Sequence, residues 1–198
     1  MKTGKAWITA IAFLCIAAMS TPVSADEVTS AVRGALIEYR KGDYATAAEK
    51  LDYAVQMIRQ KKGDKLKACL PSALEGWTAD VSSSQTISVL MLGGGITAER
   101  QYSKETSLIT VKIVADAPML RGVMMMFTNP LFVTASGGRM EEIKGQKAIV
   151  KYTPDQASGE INVVGADRVI ITVTGENVTK QDLIDYAEKI DYKKLGKM

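Results

Sequence analysis

The chain has 198 residues, with 25 lysines and arginines, 22 aspartates and glutamates, and no histidine. The absence of histidine excludes a Ser-His-Asp triad, the commonest general base and most types of zinc site. The near balance of charge argues against a nucleic-acid partner, because nucleic-acid-binding domains carry clustered basic residues.

The first 25 residues have the pattern of a cleavable signal peptide. Two early lysines precede an apolar run over residues 6–18, and the small residues at 23–25 suit signal peptidase. The run is shorter than the roughly 20 apolar residues that a membrane-spanning helix needs. A lipoprotein signal using Cys15 is the rival, but bulky residues precede this cysteine where small ones are expected. We therefore expect cleavage after Ala25 and export to the periplasm or the medium, with no transmembrane segment in the mature chain.

Two amphipathic helices are predicted between residues 26 and 68. Gly42 and Asp43 separate them, and Asp43 is well placed to cap the second helix. So short a connection predicts an antiparallel helical hairpin. The apolar positions at helical spacing are Val28, Ala31, Val32, Ala35, Leu36 and Tyr39 in the first helix, and Tyr44, Ala47, Ala48, Leu51, Val55 and Ile58 in the second.

The run from Gly34 to Val55, GALIEYRKGDYATAAEKLDYAV, resembles one tetratricopeptide repeat. No second copy is found in the sequence, and arrays of such repeats usually need about three. The family's peptide-binding groove is therefore not expected, and the hairpin is expected to pack on its own domain or on another subunit. The residues that carry the resemblance, at the turn glycine, aromatic and helix-packing positions, are Gly42, Tyr44, Ala47, Leu51 and Ala54.

Residues 69–76 are predicted to be a linker, and residues 77–198 a sheet domain in which the apolar period changes to two. Residues 87–92 fit either a helix or a strand, and residues 82–84, three serines, indicate a turn or cap. Thr179 and Asp182 form a capping-box pattern that opens a last helix. The predicted strands cover residues 77–81, 96–102, 108–115, 148–152, 161–164 and 169–174, with hairpins at the second and third and at the last two.

This order of elements predicts the α+β class: an N-terminal antiparallel helical hairpin followed by a mostly antiparallel sheet with helices packed on one face. The order is similar to that of small exported PsbP-like domains. The resemblance is at the level of the fold, which by itself implies no particular function.

Residues 118–132, PMLRGVMMMFTNPLF, form a Met-rich segment with four of the ten methionines. Pro118 suits the first turn of a helix, and the Asn129-Pro130 step should end or kink it. A helix that is apolar nearly all round is either buried, since methionine fills irregular gaps, or offers one side to a ligand, lipid or partner. We expect it to lie across the sheet. The candidate binding residues are Met119, Val123, Met124, Met126, Phe127 and Leu131.

The methionine thioethers also fit Cu(I), a soft metal. Adjacent methionines on a helix point about 100° apart, however, and no histidine or nearby cysteine completes a site. Cys69 is the sole cysteine after residue 25, so no intramolecular disulfide is possible, and we expect its thiol to be buried.

No catalytic constellation emerges from the remaining motifs. The three glycines at 93–95 lack the residues of a phosphate-binding loop. Asp80, Glu141 and Glu142 lack a calcium-loop pattern and are interpreted as surface charges. The sequence therefore predicts a non-catalytic exported accessory protein that binds a protein partner or a hydrophobic ligand, needs no cofactor and is compatible with a homo-oligomer. The alternative is a periplasmic carrier of lipid or Cu(I) that uses the Met-rich segment, and an enzyme with carboxylate chemistry ranks last.

Overall fold

The computed structural model describes residues 26–86, 95–118, 120, 122, 124, 130–165 and 169–198. The helices are α1 (Glu27–Lys41), α2 (Tyr44–Lys67), α3 (Pro130–Ala135), α4 (Lys180–Glu188) and α5 (Tyr192–Leu195), with a 3-10 turn at Pro154–Gln156. The strands are β1 (Thr78–Ala79), β2 (Ser83–Thr86), β3 (Ile96–Lys104), β4 (Ser107–Ala115), β5 (Arg139–Ile143), β6 (Gln146–Thr153), β7 (Ser158–Gly165) and β8 (Val169–Glu176). Residues 120, 122 and 124 are also helical.

The predicted antiparallel helical hairpin is confirmed in α1 and α2. Gly42 ends α1 with φ of 84°, a left-handed conformation that costs glycine little because it has no Cβ. Asp43 then caps α2, and its Oδ1 accepts a hydrogen bond from the Thr46 N–H at 3.1 Å. These two adjacent residues reverse the chain within a single turn.

All eight strands belong to one antiparallel sheet, in the order β1-β3-β4-β8-β7-β6-β5, with β2 also paired to β3. The predicted β3–β4 and β7–β8 hairpins are confirmed. The turn or cap predicted at residues 82–84 is wrong, because Ser83 begins β2 and pairs with Glu99. Val81, predicted to lie in a strand, is outside the strands and 96% exposed. The undecided residues 87–92 lie outside the described part of the chain.

One face of the sheet carries the main core. The side chains of Ile109, Val111 and Ile113 in β4 are fully buried there, as are Ile171 and Val173 in β8. Helix α4 and the residues after it, through α5, cover this face together with the end of α2 and the residues that follow α2. The buried side chains that these covering segments contribute are Leu66, Cys69, Leu70, Leu183, Tyr186, Ala187, Ile190 and Leu195.

The opposite face is covered at one end by the chain that follows β4. Val114 and Ile170, paired across β4 and β8, belong to one apolar cluster with Leu120. Val133 in α3 packs on Ile149 of β6. The α+β class is thus confirmed, and the structure has helical segments against both faces of the sheet.

Residues 69–76, the predicted linker, are fixed to the sheet by side-chain hydrogen bonds. The buried Tyr102 hydroxyl donates to the Pro71 carbonyl at 2.7 Å, and Arg100 Nη1 donates to the same oxygen at 3.1 Å. The Leu74 N–H donates to the Tyr186 hydroxyl at 3.3 Å, and the Tyr186 ring lies 4.4 Å from that of Tyr102. Burial raises the pKa of Tyr102 to about 12. The connection between hairpin and sheet is therefore part of the packed core.

Helix α2 makes the main contacts between the hairpin and the sheet. It packs on β2 and β3, whereas α1 packs mainly on α2. Gly63 is buried at that contact, where a Cβ would lie 2.9 Å from Ser84 Oγ and 3.6 Å from Ile96 Cγ2. The Lys62 ammonium also pairs with the Asp116 carboxylate beyond β4. Helix α1 is consequently held at a distance from the sheet, with α2 between them.

Candidate functional site

The Met-rich segment is only partly described. Met119, Val123, Met126 and Phe127 lie outside the described residues. Met124 is half-buried against the cluster formed by Ala117, Leu120 and Ile170. Leu131, in α3, is 81% exposed, whereas its neighbour Val133 is buried on the sheet. Of the candidate binding residues, the structure therefore places Met124 against the sheet and Leu131 at the surface, and it does not bring these two into one described cluster.

The part of the second sheet face that the described residues leave uncovered is polar. Its cleft, of about 330 Å³, lies across β4, β8, β7 and β6. The register aligns Thr110, Thr174, Glu160 and Lys151 in one row across these four strands. In the next row the Thr172 hydroxyl donates to Asn162 Oδ1 at 2.8 Å, and Lys112 pairs with Glu99 at 2.8 Å. The side chains of this second row are thus occupied with one another.

A contiguous apolar surface lies instead on the helical hairpin. Each of its side chains exposes between 42 and 66% of its surface, although all are large and apolar. The rings of Tyr39 and Tyr44, with centroids 5.5 Å apart, join the two helices at the turn. We call this surface the apolar face; its residues are Val32, Leu36, Tyr39, Tyr44, Leu51, Val55 and Ile58.

Each helix of the hairpin carries two parallel rows of residues. The inner row, spaced three and four residues apart, is buried or half-buried between the helices: Val28, Ala31, Ala35 and Glu38 in α1, and Ala47, Lys50, Ala54 and Met57 in α2. The outer row follows one residue later at each step, with the same spacing, and is exposed: Val32, Leu36 and Tyr39 in α1, and Ala48, Leu51, Val55 and Ile58 in α2. Alanine dominates the fully buried inner positions, so the helices approach closely and leave the larger side chains outside.

Both outer rows lie on the same side of the hairpin. A step of one residue turns about 100° around a helix axis. Seen from one end, that step is clockwise on one helix and anticlockwise on its antiparallel neighbour. Because each outer row follows its inner row by one residue, the outer rows of α1 and α2 both lie on the same side of the hairpin.

The other side of the hairpin is polar. There the Tyr53 hydroxyl donates to Glu27 Oε1 at 2.9 Å, which raises the pKa of Tyr53. Two residues of the inner row, Lys50 and Glu38, lie 3.6 Å apart between the helices. This hydrogen bond and ion pair join α1 to α2. The hairpin is amphipathic as a unit, with a polar pair on one side and uncharged apolar side chains on the other.

The remaining chemistry of the described residues is sparse. Cys69 is buried, as expected; its thiol donates to the Lys65 carbonyl at 3.4 Å, and burial raises its pKa. Glu141 pairs with Lys180 at 2.6 Å. Among the residues that the structure describes, no three His, Cys, Asp or Glu side chains are grouped to hold a metal ion. No helix within the described ranges is both long and apolar enough to cross a membrane.

No protein-family model, curated protein or solved structure matches the chain. The tetratricopeptide-like and PsbP-like resemblances therefore stay predictions. The sequence pattern does not reveal the apolar face, because its residues and those of the inner row together form one amphipathic stripe on each helix. The signal that distinguishes the rows is size: small residues at the buried steps and large ones at the steps that follow.

Proposed function

We propose that the protein is an exported, non-catalytic accessory protein that binds a protein partner through the apolar face of its helical hairpin. The observation that carries this proposal is the exposure of seven large apolar side chains on one side of α1 and α2. Soluble monomers rarely expose a contiguous apolar patch of more than a few hundred Å², and larger patches mark interaction sites.

The shape of the surface favours a protein over a small hydrophobic ligand. Small-molecule sites are concave and enclose most of their ligand. Two parallel rows at three- and four-residue spacing instead form the ridges that pack against other helices. Binding of a lipid, a hydrophobic ligand or Cu(I) by the Met-rich segment stays a prediction, and the packing of Leu120 and Val133 on the sheet favours a covering role for that segment.

The proposal of export and of a non-catalytic role has separate support. Export follows from the signal-peptide pattern of residues 1–25. The chain has no histidine, and Glu141 is engaged by Lys180 at 2.6 Å. Mass spectrometry of the protein from an envelope fraction is expected to give a chain that starts at Asp26. A chain that retains residues 1–25 and stays in the cytoplasm would contradict export.

The docking role is tested by photo-crosslinking in cells that produce the protein. A photoreactive amino acid is placed at Leu36, on the apolar face, or at Ile37, the next residue in α1. The two positions are matched, since their residues are 49% and 53% exposed, but they point about 100° apart. We expect one discrete crosslinked chain, identified by mass spectrometry, from position 36 and none from position 37. No discrete product from position 36, or the same products from both positions, would overturn the docking role.

A further inference from the structure

We propose that the partner on the apolar face is a second copy of this chain, so that two hairpins form a four-helix bundle about a two-fold axis. The inference rests on the proposed function and names the partner of the same surface. The assembly is isologous: the same face of each protomer packs on that of the other.

The two rows on each helix are the first argument. A helix in an isolated hairpin needs one row, because it contacts one neighbour. A helix of a four-helix bundle contacts two neighbours and carries apolar residues over a correspondingly wider stripe. Ala35 of the inner row and Leu36 of the outer row illustrate the two stripes on α1, and Ala54 and Val55 do so on α2. Among the described residues of one protomer, only the inner rows are covered by a neighbouring helix.

The arrangement of the outer rows is the second argument. They lie side by side on two antiparallel helices, and packed helices are separated by about 8–10 Å. The partner must therefore present two rows at that same separation and with the same three- and four-residue spacing. A second copy of the hairpin has this pair of rows, because it has the same sequence and the same fold.

Charge and area are the third argument. The seven side chains of the apolar face are uncharged, so pairing with an identical face brings no like charges together among them. At roughly half exposure, side chains of this size offer on the order of 600 Å² per protomer, close to the roughly 800 Å² that each partner buries in a standard interface. Inclusion of a few rim residues brings the surface to the size that a stable dimer needs.

The experiment measures the mass of the purified chain 26–198 in solution by light scattering and sedimentation over a dilution series. We expect twice the monomer mass for the wild type. Leu36→Glu is expected to raise the dissociation constant of the dimer on the order of a hundredfold. The two-fold axis places the lost leucine in the interface twice, and each loss raises that constant about tenfold. Ile37→Glu, the matched control on the same helix, should leave the dimer intact. Circular dichroism and thermal unfolding verify that both variants fold.

Two results would overturn the inference: a wild-type monomer at every concentration, or equal weakening by Leu36→Glu and Ile37→Glu. Failure of the inference is distinguishable from failure of the proposed function. A monomeric chain that still gives a discrete crosslink to a different protein from position 36 keeps the docking role and rejects the second copy. A salt series adds a further check, because an interface built from uncharged side chains should not weaken as ionic strength rises.

Discussion

Gly159 lies directly opposite Gly175 in the β7–β8 pair, on the face that α4 covers. The side chain of Leu183 packs over both: a Cβ would lie 3.0 Å from Leu183 Cδ1 at Gly159 and 2.7 Å from Leu183 Cδ2 at Gly175. Side chains at these two positions would hold α4 away from the sheet. The glycine pair therefore sets how closely the last long helix approaches the core.

Replacement of Gly159 by alanine is expected to lower the free energy of unfolding by about 1–3 kcal/mol, the usual cost of overpacking. The new Cβ would lie 2.6 Å from the Lys151 carbonyl oxygen, a backbone atom that cannot rotate away. Urea denaturation measures the effect. Gly122→Ala is the control, since a Cβ there meets nothing within 4 Å and the residue is helical. Equal losses in the two variants would contradict this account.

Replacement of Tyr102 by phenylalanine removes the hydrogen bond to the Pro71 carbonyl and is expected to cost about 1 kcal/mol at neutral pH. Burial raises the pKa of Tyr102 from 10.0 to about 12, so the unfolded chain releases this proton first as pH rises. The wild type should lose stability between those two values, a loss that Tyr102→Phe escapes. The difference in free energy of unfolding between the wild type and Tyr102→Phe should therefore shrink between pH 10 and about 12. A difference that stays constant across this range would argue against the assignment.

The Cys69 thiol is expected to react very slowly with thiol reagents while the protein is folded, and rapidly in denaturant. It is buried, and desolvation raises its pKa, so little of the reactive thiolate forms. The measurement is the rate at which the chain 26–198 reacts with a chromogenic disulfide reagent, followed by the release of the coloured thiol from that reagent. Ile37→Cys, at an exposed site, supplies the fast-reacting comparison. Fast labelling of native Cys69 would show that the end of α2 leaves the core.

The Thr179→Ala variant is expected to lose about 1 kcal/mol of stability, the typical worth of an N-cap. Thr179 Oγ1 accepts a hydrogen bond from the Asp182 N–H at 3.1 Å, and Asp182 Oδ2 accepts one from the Thr179 N–H at 2.9 Å. Thermal unfolding measures the loss. Thr179→Ser keeps the hydroxyl and should retain most of the stability. If serine fails to restore it, the methyl group rather than the cap carries the effect.

The features predicted correctly from sequence depend on local chemistry. Asp43 caps α2, and Thr179 and Asp182 open α4, because capping involves residues at most three positions apart. The β3–β4 and β7–β8 hairpins were also found, because alternating apolar residues flank a short break in each. The α+β class follows from these local elements.

What the sequence did not reveal depends on distant partners. Strand β2 is a polar segment without apolar alternation, and its extended form is fixed by pairing with β3. Strand β5 pairs with β6 although Glu141 and Glu142 obscure its pattern. The apolar face was hidden because periodicity identifies a stripe but does not say which half of a wide stripe a neighbouring helix covers.

The pairing of β4 with β8 joins the two halves of the sheet, and it unites segments far apart in the chain: Leu108 is opposite Glu176. Contacts of such long range form late, because closing a long loop costs entropy before any pairing repays it. The α1–α2 hairpin, built from neighbouring residues, can form early. The middle of the sheet can form only when β8, the last strand in the chain, pairs with β4. The core of the sheet therefore cannot be completed before residues 169–176 have been synthesised, however early the helical hairpin forms.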